Sequence, residues 1–341
     1  MGRAEPAPVC QTPRRGISRA ACHLHGINLE LRSADAEALR RVGSLFESGG
    51  SPAPQATFRL DIDSGVAAGH IRESRGRRLF RSGGITARRY TDGRILVTNR
   101  QGSYALVDTC SLHAELRLTT AGVPDARVLY DLLLKWVLIL LFRACGSYLV
   151  HAASVIRGGD SILFVGEQGV GKSTICAMAV QAGHATLNDD QHLLRRMRDG
   201  RVEALGLPSR FSLHPAIAER VPQLGFLRHG AESCGSPKHS FAVDSVFPGS
   251  LRQGSVPTHL VLLSPPSPCG NSTVRALSKP RSLCRLIRSS EMVLLEVGAP
   301  ESHLHVLRQL VQQCKCVEAS LGRDVYQEPS RVLDMCVQRG A

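Results

Sequence analysis

Two things are scarce in this chain of 341 residues: aromatic side chains, 4% of the total with a single Trp, and lysine, which occurs only as Lys135, Lys172, Lys238, Lys279 and Lys315. With no basic run interleaved with aromatics, the stacking platform that binds single strands is missing. Long apolar runs are also lacking. The longest, Trp136–Phe142, is far short of the ~20 residues of a spanning helix. Met1 to Arg15 carries no apolar stretch of the secretory kind. A soluble, cytoplasmic chain without a membrane partner is therefore expected. The eleven cysteines include no C-x-x-C, and the nearest pair, Cys314 and Cys316, has no second half. No zinc pattern results, and the thiols read as small core residues or free thiols of a reducing compartment. Neither L-S-G-G-Q nor N-K-x-D occurs, which weakens the transport-ATPase and GTPase readings.

What is present is arginine. The formal net charge is +13, a balance that suits an acidic partner such as a nucleotide or an acidic protein. A solvated basic surface explains it better than a dedicated nucleic-acid face, so no nucleic-acid partner is expected. Hydrophobic content of 43% and charged content of 21% are ordinary for a globular chain, and the length allows one large domain or two.

Residues 1–20, rich in Pro and Arg, read as a loose tail, and Ser48–Pro54 as a turn or linker. Short strands are expected at Thr57–Ile62, Arg77–Arg81, Ile85–Tyr90, Ile95–Thr98, Ser103–Val107 and Glu115–Leu118, with Asp92-Gly93 as a hairpin turn. Residues 21–123 thus form a β-rich α+β domain. Its isolated His70, His113, Asp61 and Asp63 have no partner at ligand spacing and read as ordinary surface residues. Pro124 opens a largely buried helix over Asp125–Cys145. Strands follow at Ser147–Val155 and Ile162–Val165, then a helix from Ser173 that ends at Gly183. Ala185–Asn188 reads as a short strand, and Asp199-Gly200 as a second hairpin. Arg228–Ser250 reads as a long loop, Thr258–Leu263 and Val317–Ser320 as strands, and Pro280–Ser289, Ser302–Val311 and Ser330–Val337 as helices. Residues 124–341 are expected to be one α/β domain.

The chemistry concentrates at Gly166–Thr174, G-E-Q-G-V-G-K-S-T. This run fits G-x-x-x-x-G-K-[ST], the phosphate-cradling P-loop, with a strand before it and a helix after it. Gly166, Glu167, Gln168, Gly169, Val170, Gly171, Lys172, Ser173 and Thr174 are the expected phosphate-binding residues. Backbone N–H groups and the helix N-terminus face the anion, Lys172 adds a point charge, and Ser173 offers a hydroxyl to Mg²⁺. Asp189 and Asp190 follow the next strand, at the edge where an acid holds Mg²⁺ or polarises an attacking hydroxyl. Adjacent strand side chains point opposite ways, so one of the two is expected to face the phosphates. His151, in L-V-H-A-A, lies on the strand before the loop. Taken alone it reads as a satisfied core histidine; beside a nucleotide it would reach the γ-phosphate.

Together these residues resemble a family. The span Leu149–Leu194, with His151 ahead of the loop, Gly183-His184 ahead of the next strand, and Asp189-Asp190 at its end, is similar to the catalytic core of HPr serine kinase/phosphorylase and its shorter relatives. The resemblance covers about fifty residues well. It implies an α/β P-loop kinase core of the HPr kinase type, ATP and Mg²⁺ as cofactors, and a homo-oligomer, since the resembled enzymes form rings. It also implies roles: Lys172 and the loop on the ATP phosphates, Ser173 and Asp189 on the metal, Asp190 as proton acceptor and His151 assisting it. Glu203 would be a further metal acid. Lys238, Lys279 and Arg281 are the candidates for a later catalytic cation. Gln168 and Thr174 depart from the family's loop, and its second signature is not visible after Glu203, which weakens HPr itself as acceptor. The expected activity is phosphoryl transfer to a hydroxyl of a protein, peptide or small molecule. The alternatives are a nucleotide-binding ATPase or regulator without an acceptor, and a scaffold that has lost catalysis.

Overall fold

The structure, a computed structural model, describes residues 16–48, 54–66, 76–82, 84–119, 133–208, 210–228, 238–267, 270–290 and 300–339. The tail before residue 16, His70, most of the expected Ser48–Pro54 linker, Pro124 with the start of its helix, and much of the Arg228–Ser250 loop lie outside those residues. Two compact units divide the chain, Met1–Leu141 and Phe142–Ala341. The division falls inside the helix Lys135–Ala144, later than the 123/124 boundary expected.

The first unit is built on one sheet. Its strands are β1 (Ser18–Leu24), β2 (Ile27–Ser33), β3 (Glu47–Ser48), β4 (Ala56–Val66), β5 (Arg77–Ser82), β6 (Ile85–Arg89), β7 (Ile95–Thr98), β8 (Tyr104–Asp108) and β9 (His113–Thr119), in spatial order β3-β1-β2-β4-β9-β8-β7-β6-β5. Strand β1 begins inside the stretch read as a tail. Its sequence, S-R-A-A-C-H-L, gives almost no alternation of its own, and it is fixed by pairing with β2. There Ile27, Leu29 and Leu31 point into the core while Asn28, Glu30 and Arg32 do not, the period-2 pattern of a half-buried strand. The helix Ala36–Gly43 packs Ala38, Leu39 and Val42 inward. Asp35 caps it by accepting from the N–H groups of Glu37 and Ala38. Asp61 and His113 are not isolated: Nε2 of the histidine lies 2.8 Å from the aspartate across β4 and β9.

The second unit is a three-layer α/β arrangement. Strands β10 (Ser147–Arg157), β11 (Asp160–Val165), β12 (Gln191–Arg196), β13 (Val202–Gly206), β16 (Gly254–Ser255), β17 (His259–Ser264), β18 (Thr273–Ala276) and β19 (Lys315–Ser320) form a mixed sheet ordered β16-β13-β12-β10-β11-β17-β19-β18. Among neighbouring strands, the pairings β11–β17 and β17–β19 are parallel and the others antiparallel. One face is covered by the helices Lys172–Gln181 and Pro329–Gln338, through Ile175, Ala179, Val332 and Leu333. The other is covered by Lys279–Arg288 and Pro300–Gln313, through Leu286, Leu307 and Leu310. Burial on both faces explains why β11 and β17 are continuous apolar runs rather than alternating ones. Strands β14 (Phe211–Leu213) and β15 (His239–Phe241) pair separately; β15 lies within the stretch read as a long loop.

Ala185–Asn188 is not a ladder strand. Ala185 and Thr186 each make a single bridge, and Leu187 and Asn188 donate their N–H groups to the Ser154 hydroxyl, at 2.9 and 3.3 Å. A side-chain oxygen has taken the donors that pairing would need.

Candidate functional site

Three chain segments meet at one end of the second sheet. Val165, the last residue of β11, pairs with Ala152 of β10. On the other side of β10, Ala152 donates its N–H to the carbonyl of Asp190 at 2.9 Å. The glycine loop therefore leaves the sheet within a rung of His151 and Asp190, although these positions are far apart in sequence.

The loop itself requires glycine at two points. Gly169 has φ of +88° and Gly171 of +101°, the left-handed region that side chains resist. Gly171 is also the N-cap of the helix Lys172–Gln181, with no side-chain cap, so the first N–H groups of that helix are open to water or to an anion. Lys172 is buried, at 6% exposure. Its Nζ donates to the carbonyls of Gly166 and Glu167, at 2.7 and 2.9 Å. Burial lowers its pKa, opposed by Asp190 and Asp189 and reinforced by Lys238.

The two aspartates do different things. Asn188 forms an Asx turn, its Oδ1 accepting from the Asp190 N–H at 2.8 Å while its Nδ2 donates to Leu207 O at 2.7 Å. This turn, not a strand, sets the two side chains. Asp190 turns outward to His151, with Nδ1 and Oδ1 2.8 Å apart and the two side chains 41% and 43% exposed. His151 is thus a surface-facing partner of Asp190 rather than a core histidine. Asp189 turns inward and is only 2% exposed. Its Oδ2 accepts from the Ser212 N–H at 3.4 Å, and its Oδ1 has no hydrogen-bond partner. Burial, then the neighbouring Asp190 carboxylate, push its pKa up to about 7; the Ser173 hydroxyl, the Ser212 N–H and Lys238 oppose the rise. Ser173 is close enough to exert that pull but does not close a bond to Oδ1.

Lys238, the residue just before β15, is the one of the three candidate later cations that the fold carries to this site, since both Lys172 and Asp189 feel its charge. Lys279 instead donates to the carbonyls of Val311 and Cys314 at the end of the helix Pro300–Gln313, and Arg281 is exposed on the helix Lys279–Arg288. Glu203 is not brought to the site. It sits opposite Arg195 in the β12–β13 hairpin, with Nε and Oε1 2.7 Å apart, five residues and roughly 16 Å of strand from Asp190. Gly183, with φ of +88°, turns the chain out of the helix, and His184 meets the Ser330 hydroxyl at 3.1 Å.

Beneath the aspartates lies a polar layer that sequence reasoning missed. Ser154 Oγ meets His192 Nε2 at 3.0 Å. The hydroxyl of Thr186 donates to Ser154 O at 2.8 Å, and the Cys176 thiol approaches the same carbonyl at 3.3 Å. Burial holds His192 neutral, with its pKa lowered to about 3. Ser154 and Cys176 sit in apolar runs with no local signal, and Thr186 and His192 belong to the mixed stretch around the aspartates, where Asn188 was the visible hint.

Among the described residues, no cluster of three or more His, Cys, Asp or Glu side chains could hold a metal by itself. No helix among them is long and apolar enough to cross a membrane. No family model and no curated protein matches the chain. Among solved structures it is similar to the HPr(Ser) kinase/phosphatase from Coxiella burnetii, at 15% identity and a TM-score of 0.27, over 38% of this chain and 76% of that one. That is a distant structural relationship.

Proposed function

We propose that the chain is an ATP-dependent phosphotransferase with a P-loop core, moving the γ-phosphoryl group to a hydroxyl of a protein, peptide or small molecule. The observation that carries this reading is the solvent-facing His151–Asp190 pair, 2.8 Å apart, beside a lysine-bearing glycine loop with an inward Asp189. Phosphoryl transfer asks a protein mainly for positioning and charge neutralisation. The N–H groups of Gly169 to Ser173 would hold the phosphates, and Lys172 would exchange its two loop carbonyls for phosphate oxygens. Lys238 would supply a second positive charge. Asp190 would accept the acceptor's proton, with His151 orienting it and sharing its charge.

The residues present fit Mg²⁺. Oδ1 of Asp189 is a buried oxygen without a partner, and Ser173 is its neighbour; Mg²⁺ typically takes one or two protein oxygens and completes its shell with phosphates and water. Bound by Asp189 and Ser173, it would offset the charge of the phosphates.

The test is γ-labelled ATP with Mg²⁺ and a panel of serine-containing peptides and small alcohols. Label is expected on an acceptor, with Asp190→Asn slowing transfer by about 10²–10⁴-fold while ATP binding is retained. Transfer unaffected by Asp190→Asn removes the assigned base. Label released only as free phosphate, whatever the acceptor, leaves the ATPase reading.

A further inference from the structure

The first unit carries a second concentration of positive charge that the phosphotransferase reading leaves unused. Arg78 of β5, Arg88 of β6, and Arg81 and Arg100 beside them line one open hollow of about 280 Å³. The sheet register explains the convergence: Arg78 stands opposite Arg88, and Arg81 opposite Thr86, which is itself opposite Thr98. All of these side chains therefore share one face of β5, β6 and β7. Gly84 turns the β5–β6 hairpin at φ of +87°, and a Cβ there would stand only 3.1 Å from Arg100 Nε. The missing side chain is what lets Arg100 lie across the hollow.

Most of the other described arginines of this unit stand beside an acid. Arg32, Arg40, Arg41, Arg94 and Arg117 each have a carboxylate within salt-bridge distance. The four around the hollow have none among the described residues. Arg88 gives one bond, Nη1 to the carbonyl of Gly76 at 3.1 Å, and its buried Nε has no partner. A structural role would pair these guanidinium groups with acids, and charge blunting of a sheet edge does not require four on one hollow.

We propose that this hollow binds an oligophosphate chain, free or as the tail of a nucleotide. Guanidinium forks match phosphate oxygens in bidentate fashion, and four of them call for a ligand of three or more negative charges in a small volume. The rest of the lining, including Thr86, Thr98 and Asn99, is polar. Among the described residues no aromatic ring lines it to stack a base, and no apolar wall is there to hold the side chains of a peptide.

Inorganic tripolyphosphate is the probe, titrated calorimetrically at physiological salt into the full chain carrying Lys172→Ala, which weakens the glycine loop as a competing site. Saturable binding is expected, and adding Arg81→Glu with Arg100→Glu should weaken it tenfold or more. Arg81→Gln with Arg100→Gln should give a smaller loss in the same direction at an unchanged melting temperature, since Arg81 and Arg100 are exposed. ATP without Mg²⁺ binding as tightly as tripolyphosphate shows that only the phosphate chain is read. No saturable binding, or binding indifferent to all four substitutions, overturns the assignment. So does tighter binding of a poly-glutamate peptide or an oligonucleotide that the same variants abolish. Failure of phosphoryl transfer leaves this result untouched, because the background protein already lacks Lys172.

Discussion

Replacing Asp189 by Asn should make the empty protein more stable while removing its Mg²⁺-nucleotide site. Asp189 is 2% exposed and has one unpartnered oxygen, and burial raises its pKa from 3.8 to about 7. The fold thus favours the protonated acid. That contribution is complete below pH 3.8 and is lost as pH rises through about 7. A rise of about three pH units at about 1.4 kcal/mol each sets an upper bound of about 4 kcal/mol on the cost of ionised Asp189 at pH 8. Asn carries no charge in either state, and its oxygen keeps the Ser212 N–H. Asp189→Asn should therefore gain about 2–4 kcal/mol at pH 8, or roughly 5–10 °C in melting temperature for a unit of this size. At pH 5 most of that cost is absent, because Asp189 is then largely protonated in the folded chain, and the gain should be no more than about 2 kcal/mol. The assay is thermal unfolding by circular dichroism with chelator, at pH 5 and pH 8, repeated with Mg²⁺ and ATP. The wild type should gain stability from Mg²⁺ and ATP, and the variant should not. A variant less stable than wild type at pH 8, or one stabilised equally at both pH values, refutes the reasoning.

Glu203→Gln should leave turnover and Mg²⁺ dependence within about twofold and cost about 1 kcal/mol through the lost Arg195 pair; a tenfold rise in the Mg²⁺ requirement would return Glu203 to the metal. Lys238→Met should lower kcat/KM for ATP by about 10²-fold, whereas Lys279→Met should cost about 1 kcal/mol of stability, by freeing the carbonyls of Val311 and Cys314, and leave kcat unchanged. Gly206→Ala should destabilise by about 2–3 kcal/mol, because a Cβ there would meet the Leu187 carbonyl at 2.5 Å; urea unfolding reads it, and a neutral result shows that the Leu187 turn moves freely.

The glycine loop, its strand and helix, and the aspartate pair were legible because each is local chemistry: left-handed turns need glycine, and β11 is apolar on both faces. The Asp92-Gly93 and Asp199-Gly200 turns were legible for the same reason. The hairpin β1–β2 was not, because β1 has little pattern without its partner. Strands β14 and β15 are three residues each and pair across an intervening stretch, so no window along the chain contains them. Glu203 entered only through the family resemblance, which carries no strand register, and register puts it opposite Arg195. The roles of Asp189 and Asp190 were undecidable from alternation, since a turn set by Asn188 rather than a strand orients them.

Register also explains why the site depends on an antiparallel neighbour. In a sheet entered only by parallel crossovers, the acid near a glycine loop comes from the C-terminal end of an adjacent parallel strand. Here the neighbour β10 runs the other way, so His151 comes from the middle of that strand and Asp190 from the turn just before β12. One rung, Val165–Ala152–Asp190, ties all three together. Because side chains alternate along β10, slipping it by one residue would exchange the faces of His151 and Ala152. The Ser154 hydroxyl guards against that slip. It binds Leu187, Asn188 and His192 at once, and a shift of β10 would break all three bonds within a buried layer. The polar residues beneath the aspartates thus hold His151 and Asp190 in mutual reach without touching either side chain.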